Sequence, residues 1–528
     1  MKSIAIPVAL AGIAVLAACG QDQHGHVYYP DPAPQYRSPQ PTYRPAPARI
    51  APVETAEQYP PIAPSWFQRV DTDPISTFSI DVDTTAYSHV RRHLQLGQLP
   101  PRDAVRIEEL INYFSYAYPG PRDAMEPFAM YANVYPAPWA PDRLLLHVGI
   151  KGYDMPHYTR PSAHVVLLVD VSGSMQDANR LPMLKRAFGI LLDELHDDDR
   201  VSIVTYSGRS RVALRPTPVS ERERIENAIQ RLSARGSTAG AAGLSAAYEL
   251  AESHFDYEGI NRIILATDGD FTVGPADPQH LEYMIAQRRE SGIYLSVVTV
   301  GEDNVNDRIA QALAQKGNGN AAHLDTLLEA RKVFGDDFSS TMYPIADDVK
   351  IQIEFNPARV AAYRLLGYET RQMADYQFRD DRADAGDIGA GHTVTAIYEI
   401  TPTGAGYAHI EQPRYQPRPE AIVPGDMAHE FAFLRLRYKQ PGGERSQLIE
   451  LPIDESMRHH DIASLSSEVR FATAVAGFGL MLRNDGYAER YGFSSLLSLA
   501  EGARAADRYG YRAEFIRLLQ LAQTLKRS

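Results

Sequence analysis

The stretch Val165-Val166-Leu167-Leu168-Val169-Asp170-Val171-Ser172-Gly173-Ser174-Met175 places five aliphatic residues directly before one carboxylate and two hydroxyls at alternate positions. An apolar run with no polar interruption is the pattern of a strand buried on both faces of a parallel sheet. The polar residues that follow, on a turn containing Gly173, aim three hard oxygens in one direction. Working outward, the pattern is regular from 164 to 343. Apolar strands are expected at 165–169, 201–206, 262–267 and 294–300, with weaker ones at 211–214 and 321–324. Between them lie amphipathic segments expected as helices at 181–195, 221–233, 240–253, 278–291, 307–316 and 327–338. This alternation predicts βα units and an α/β fold with a doubly wound, mostly parallel sheet.

Such a sheet holds its ligand outside the carboxyl ends of the strands, at the point where strand order reverses. Two further loops are expected to reach that crevice. Gly236-Ser237-Thr238-Ala239-Gly240 offers the Thr238 hydroxyl at the start of a helix, and Ala266-Thr267-Asp268-Gly269-Asp270 ends another strand. Together with the first turn they form an oxygen cage.

Asp170-x-Ser172-x-Ser174, Thr238 and Asp268 resemble the metal-ion-dependent adhesion site of von Willebrand factor type A domains. The resemblance implies that Ser172, Ser174 and Thr238 bind a metal directly or nearly so, and that Asp170 and Asp268 act directly or through water. One coordination position is then left for an acidic side chain of a partner protein. The donor chemistry agrees, because hydroxyl, carboxylate and water oxygens suit Mg²⁺ or Mn²⁺, whereas zinc would require a His or Cys cluster. With only two carboxylates, the cage leaves positive charge on the ion, which favours an incoming Asp or Glu over a neutral group.

The flanks are less regular. Residues 65–163 read as a small mixed region, with strands expected at 77–81, 128–135 and 143–149 and helices at 86–96 and 105–114. Residues 344–528 read as a β-rich region, with strands expected at 349–355, 360–368, 392–400 and 428–438, followed by helices at 466–482, 493–506 and 512–525. The apolar run 471–482 is too short to span a bilayer and is flanked by Arg470 and Arg483, so a buried core helix is expected. Ser79-Ile80-Asp81-Val82-Asp83-Thr84, Arg106-Ile107-Glu108-Glu109-Leu110-Ile111-Asn112-Tyr113-Phe114, Phe355-Asn356-Pro357-Ala358 and Gly386-Asp387-Ile388-Gly389-Ala390-Gly391-His392 resemble bacterial lipoproteins that carry their own N- and C-terminal regions around a von Willebrand factor type A domain. That resemblance covers residues 65–528 and implies architecture, anchoring and metal binding, without naming a substrate.

At the N-terminus, Lys2 precedes an apolar stretch, and Leu16-Ala17-Ala18-Cys19 followed by Gly20 resembles a lipobox. Residues 1–19 are read as a lipoprotein signal peptide, with Cys19 acylated as the membrane anchor. Gly20, in place of an aspartate, favours an outer-membrane, periplasm-facing location by resemblance to sorted bacterial lipoproteins. Residues 20–64, rich in Pro, Tyr, Gln and Ala, read as a tether. Cys19 is the only cysteine, so no intrachain disulfide forms. The net charge of −13 repels phosphate backbones and argues against nucleic acid.

No P-loop, H-E-x-x-H or G-x-S-x-G occurs, so neither a nucleotide site nor an enzyme is indicated. Three weaker signals are present. Asp81-x-Asp83-x-Thr85 fits the nucleophile and acid pair of phosphatases of the haloacid dehalogenase type, as a remote alternative. His459-His460 has no partner at metal spacing and reads as a solvated turn. Asp375, Asp380, Asp381, Asp384 and Asp387 lie in a stretch that either is a solvated loop or brings a carboxylate to the metal in cis. The leading expectation is a lipid-anchored binding module. The competing one is a structural envelope scaffold whose flanks make the contacts.

Overall fold

The computed structural model describes residues 59, 61–63, 65–80, 83–236, 240–269, 278–289, 291–301, 307–405, 425 and 427–527. Cys19, the leader, most of the tether, Asp81 and Thr238 lie outside the described residues.

The 165–169 run lies within the strand Ala163–Asp170, all of whose residues are buried. It pairs in parallel with Arg200–Tyr206 on one side and Ile260–Thr267 on the other. Ile293–Val300 and Ala321–Leu324 extend the sheet in parallel, and Ser210–Pro218 closes the opposite edge antiparallel. Strand order reverses between Ala163–Asp170 and Ile260–Thr267, which is the switch point of the expected doubly wound sheet. The first strand buries both faces because its side chains alternate between two helical layers. Val165, Leu167 and Val169 share a core with Leu184, Phe188 and Leu191 of the helix Leu181–Glu194. Val166 and Leu168 share another with Leu244 and Tyr248 of Gly240–Ser253 and Leu313 of Asp307–Lys316.

The helix expected at 327–338 is interrupted. Leu327–Arg331 runs into a π-turn over Lys332–Asp336 and then Phe338–Met342. Lys332 is drawn inward, where Nζ bonds Asp337 at 2.7 Å and lies 4.9 Å from the centre of the Tyr113 ring. The backbone N–H of Asp337 closes on the Lys332 carbonyl at 2.8 Å, the five-residue bond that defines such a turn.

The two flanks, read from sequence as separate regions, are woven into common sheets. Leu144 to Lys151 of the N-terminal flank pair antiparallel with Ile400 to Thr393 of the C-terminal flank. That sheet runs Gln68–Arg69, Val360–Leu365, Thr393–Pro402, Ala140–Gly152, Phe128–Ala137. In the other, Pro344–Phe355 pairs with Glu430–Lys439 on one edge and with both Gly386–Gly389 and Ile75–Ser79 on the other. Ser446–Asp454, unanticipated as a strand, completes it. Helices from both flanks share a third core, in which Phe114 packs against Phe471 and Phe515. The apolar run expected as a core helix is Ser467–Leu482, and Gly477 and Gly479 let it approach Leu496 and Ile107 closely. No helix among the described residues is long and apolar enough to cross a membrane.

Buried ion pairs join these flanks to the central domain. Arg91, with 0% exposure, bonds Asp325, Glu329 at 2.8 Å and Glu514 at 2.9 Å, so one guanidinium from the N-terminal flank holds both the central domain and the last helix. Arg106 pairs with Glu109 and, at 2.9 Å, with Asp307 at the start of a central-domain helix.

Candidate metal centre

The carboxyl ends of Ala163–Asp170 and Ile260–Thr267 lie side by side, so the residues that follow each strand face one crevice. Asp170 has no exposure, and its Oδ1 accepts the Ser172 N–H at 2.8 Å, folding the chain back at once. The Val171 N–H donates to the Tyr206 carbonyl at 2.9 Å, pinning the turn to the neighbouring strand. A short helical turn over Gly173–Gln176 follows, with Met175 buried beneath it as an anchor. The Ser172 and Ser174 hydroxyls end 3.0 Å apart. Asp268, 4% exposed, stands across the crevice at the end of its strand.

The third loop arrives through its backbone. The Arg235 N–H donates to the Val171 carbonyl at 2.6 Å, and the Gly173 N–H donates to the Gly236 carbonyl at 3.0 Å. Gly236 has φ +91°, a conformation that suits glycine. The segment entering Thr238 is therefore seated on the Asp-x-Ser turn, although Thr238 itself lies outside the described residues. The helix after it packs directly on Tyr206, because a Cβ at Gly243 would come within 2.6 Å of that side chain.

Burial pushes the Asp170 carboxyl up to about 6, and the charge of Asp268 adds to the rise, while the Ser172 N–H opposes it. Two carboxylates and two hydroxyls, all oxygen donors and all but the exposed Ser174 buried, thus converge with negative charge that a divalent cation would neutralise. This donor set fits Mg²⁺ or Mn²⁺. Among the described residues no group of three His, Cys, Asp or Glu side chains is placed to hold a metal, so the hydroxyls are needed to complete the set.

Sequence reasoning missed Arg180. Its Nη1 donates to the Ser174 carbonyl at 2.6 Å and to Asp268 Oδ2 at 3.2 Å, so a fixed cation already touches the cage. Arg180 caps the N-terminus of the helix Leu181–Glu194, where the helix dipole disfavours positive charge, and this mismatch was the readable signal that it answers to a carboxylate. Gly301, ending the next strand with φ +97°, makes room for it, since a Cβ there would lie 2.9 Å from Arg180 Nε.

The in-cis carboxylate is excluded by position. Asp384 pairs with Arg289, Asp381 with Arg437 and Ser446, Asp380 with Arg382, Asp375 with Thr77, and Asp387 accepts the Asp348 N–H. Arg289 ends the helix that leads into Ile293, the entry end of its strand, whereas Asp170 is the last residue of its strand and Asp268 follows the exit end of its own. Asp83, the proposed acid of the phosphatase alternative, is 3% exposed and serves as a clamp, accepting the Ala321 N–H at 2.9 Å and pairing with Arg371 at 3.0 Å. His459 sits in a surface turn with Ser464 at 3.4 Å.

Three family descriptions match the chain: von Willebrand factor over residues 53–147, von Willebrand factor type A domain over 165–270, and uncharacterized protein YfbK, C-terminal, over 340–525. The chain is 43% identical over 461 residues to the uncharacterized protein YfbK of Escherichia coli (strain K12), spanning 86% of this chain and 79% of that one. It is 30% identical over 319 residues to the uncharacterized protein sll0103 of Synechocystis sp. (strain ATCC 27184 / PCC 6803 / Kazusa), spanning 60% and 70% of the two chains. Among solved structures, a von Willebrand factor type A protein from Catenulispora acidiphila is 18% identical across 74% of this chain and 89% of that one, with a TM-score of 0.41. The three matched regions and the extent of the first alignment lead to one assignment: the chain belongs to the YfbK family, built around a von Willebrand factor type A domain.

Proposed function

We propose that this protein is a lipid-anchored envelope protein that captures an acidic residue of a partner protein through Mg²⁺ or Mn²⁺ held by Asp170, Ser172, Ser174, Thr238 and Asp268. The observation that carries the reading is the convergence at the switch point of a buried Asp170, Asp268, and two serine hydroxyls 3.0 Å apart. Domains of this type generally mediate protein–protein interaction, and this site has the donors for a metal-dependent form of it. The ion, when bound, supplies a positive centre that prefers a carboxylate. The residues of the chain do the rest. The Ser172 N–H orients Asp170 and the turn anchored by Met175 holds both serines, while Arg180 holds Asp268 as a cation that the ion would displace. Cys19 is the proposed anchor, facing the periplasm from the outer membrane, and no chemical step is assigned to the site.

The scaffold reading draws support from the buried Arg91 and Arg106 networks, which fasten the flanks to the central domain. Affinity capture from cell envelopes separates the two readings. Chain lacking residues 1–19 is compared in Mg²⁺, in chelator, and as Asp170→Ala in Mg²⁺. A partner retained only by the first sample supports metal-bridged capture, and equal recovery from all three favours the scaffold.

A further inference from the structure

A second cleft, remote in composition from the metal centre, lies where the two flanks meet, and its volume is about 770 Å³. That is within the range of sites that enclose organic ligands. Its floor is a built stack. Arg143, 4% exposed, has its guanidinium 4.4 Å from the centre of the Phe67 ring and 4.1 Å from that of Tyr487. Glu399, with no exposure, fixes this layer by accepting from Arg143 at 2.7 Å and from Arg364 at 2.7 Å. Arg364 also reaches Asp485 at 2.9 Å, and Arg483 is paired with Glu369.

These pairings leave a remainder. Arg143, Arg364 and Arg483 are matched by Glu399, Asp485 and Glu369, but Arg102 and Arg490, which also line the cleft and are exposed, have no ion pair among the described residues. Arg490 lies 4.5 Å from the centre of the Tyr487 ring, which holds its planar group without neutralising it. In a chain of net charge −13, this local surplus of cations is opposite in sign to the whole. Beside it stands Trp66, lining the same cleft with 73% of its surface exposed. A large indole left in water in the same cleft as unneutralised guanidinium groups is complementary to a ring carrying negative charge.

A peptide adding as a strand does not suit this cleft. The adjacent sheet edge is already occupied, because Gln68 and Arg69 pair with Tyr363 and Ala362, and the Ser65 hydroxyl donates to the Leu365 carbonyl at 2.8 Å. We infer that the cleft between the flanks binds a ring-bearing organic anion, with the ring on Trp66 and its carboxylates or phosphates on Arg102 and Arg490. Sugar acids and nucleotides share this chemistry, and the flanks then carry a ligand site independent of the metal.

Trp66 provides the reporter, since the only other tryptophan, Trp139, is 4% exposed in the core. The protein is titrated with trigalacturonate, AMP, inorganic phosphate and maltotriose, following tryptophan emission and heat of binding, with chelator present throughout. Trigalacturonate or AMP is expected to bind with a blue shift that Trp66→Phe removes. The Arg102→Glu/Arg490→Glu double variant is expected to weaken that binding by about tenfold or more with an unchanged melting temperature, since both residues are on the surface. The inference is overturned if neither charged ring compound binds, if maltotriose binds equally well, or if phosphate alone binds as tightly as both.

Discussion

Replacing Asp170 by Asn should make the metal-free protein more stable, although the residue is central to the proposed site. Asp170 is buried, and its carboxyl is pushed from an ordinary 3.8 up to about 6. The folded state therefore binds this proton more tightly than the unfolded chain does, and stability falls as pH rises through that interval. A shift of about two units at ~1.4 kcal/mol each gives a cost of about 3 kcal/mol, fully present above pH 7. Asn keeps an acceptor for the Ser172 N–H at 2.8 Å while carrying no charge. Urea denaturation in chelator at pH 8 should show Asp170→Asn more stable than wild type by about 3 kcal/mol, falling to about half of that by pH 5. Mg²⁺ at about a thousandfold excess over Kd should then reverse the order, because wild type gains about 4.1 kcal/mol and the variant gains little. A variant that is less stable than wild type in chelator at pH 8, or a difference that does not change with pH, would refute the reasoning.

Arg180→Gln removes a cation 3.2 Å from Asp268, and Mn²⁺ affinity measured by calorimetry should rise by about tenfold, because the ion no longer competes with a fixed positive charge. Gly301→Ala should lower stability by about 1–3 kcal/mol in thermal melts, through a left-handed φ and a Cβ 2.9 Å from Arg180 Nε. Arg91→Met strands Glu329, 1% exposed, without its buried partner, and chemical denaturation should show a loss of about 3–5 kcal/mol.

The central sheet was legible because parallel strands buried on both faces are written as aliphatic runs, and Ala163–Asp170 differs from the expected 165–169 only at its ends. The clustering of Asp170, Ser172, Ser174 and Asp268 was legible for the same local reason: the first three are near neighbours in sequence, and the strand ends bring Asp268 to them. What escaped was non-local. Leu144 and Ile400 pair across 256 residues, and no periodicity in either segment announces its partner. Ser446–Asp454 is an edge strand whose apolar face of Ile449, Leu451 and Ile453 is masked by Leu448 and Pro452 on the opposite face, which break the alternation that marks a strand. The aspartates from 375 to 387 read as a solvated run because Arg289, Arg437 and Ser446, which hold them, come from distant segments.

In the proposed site Asp170, Ser172, Ser174 and Asp268 share one divalent ion. Anomalous diffraction from crystals grown with Mn²⁺ tests this directly. A manganese peak is expected at bonding distance from oxygens of these residues and of Thr238. Mn²⁺-containing crystals with no peak in the crevice, and with Arg180 still paired to Asp268, would contradict it.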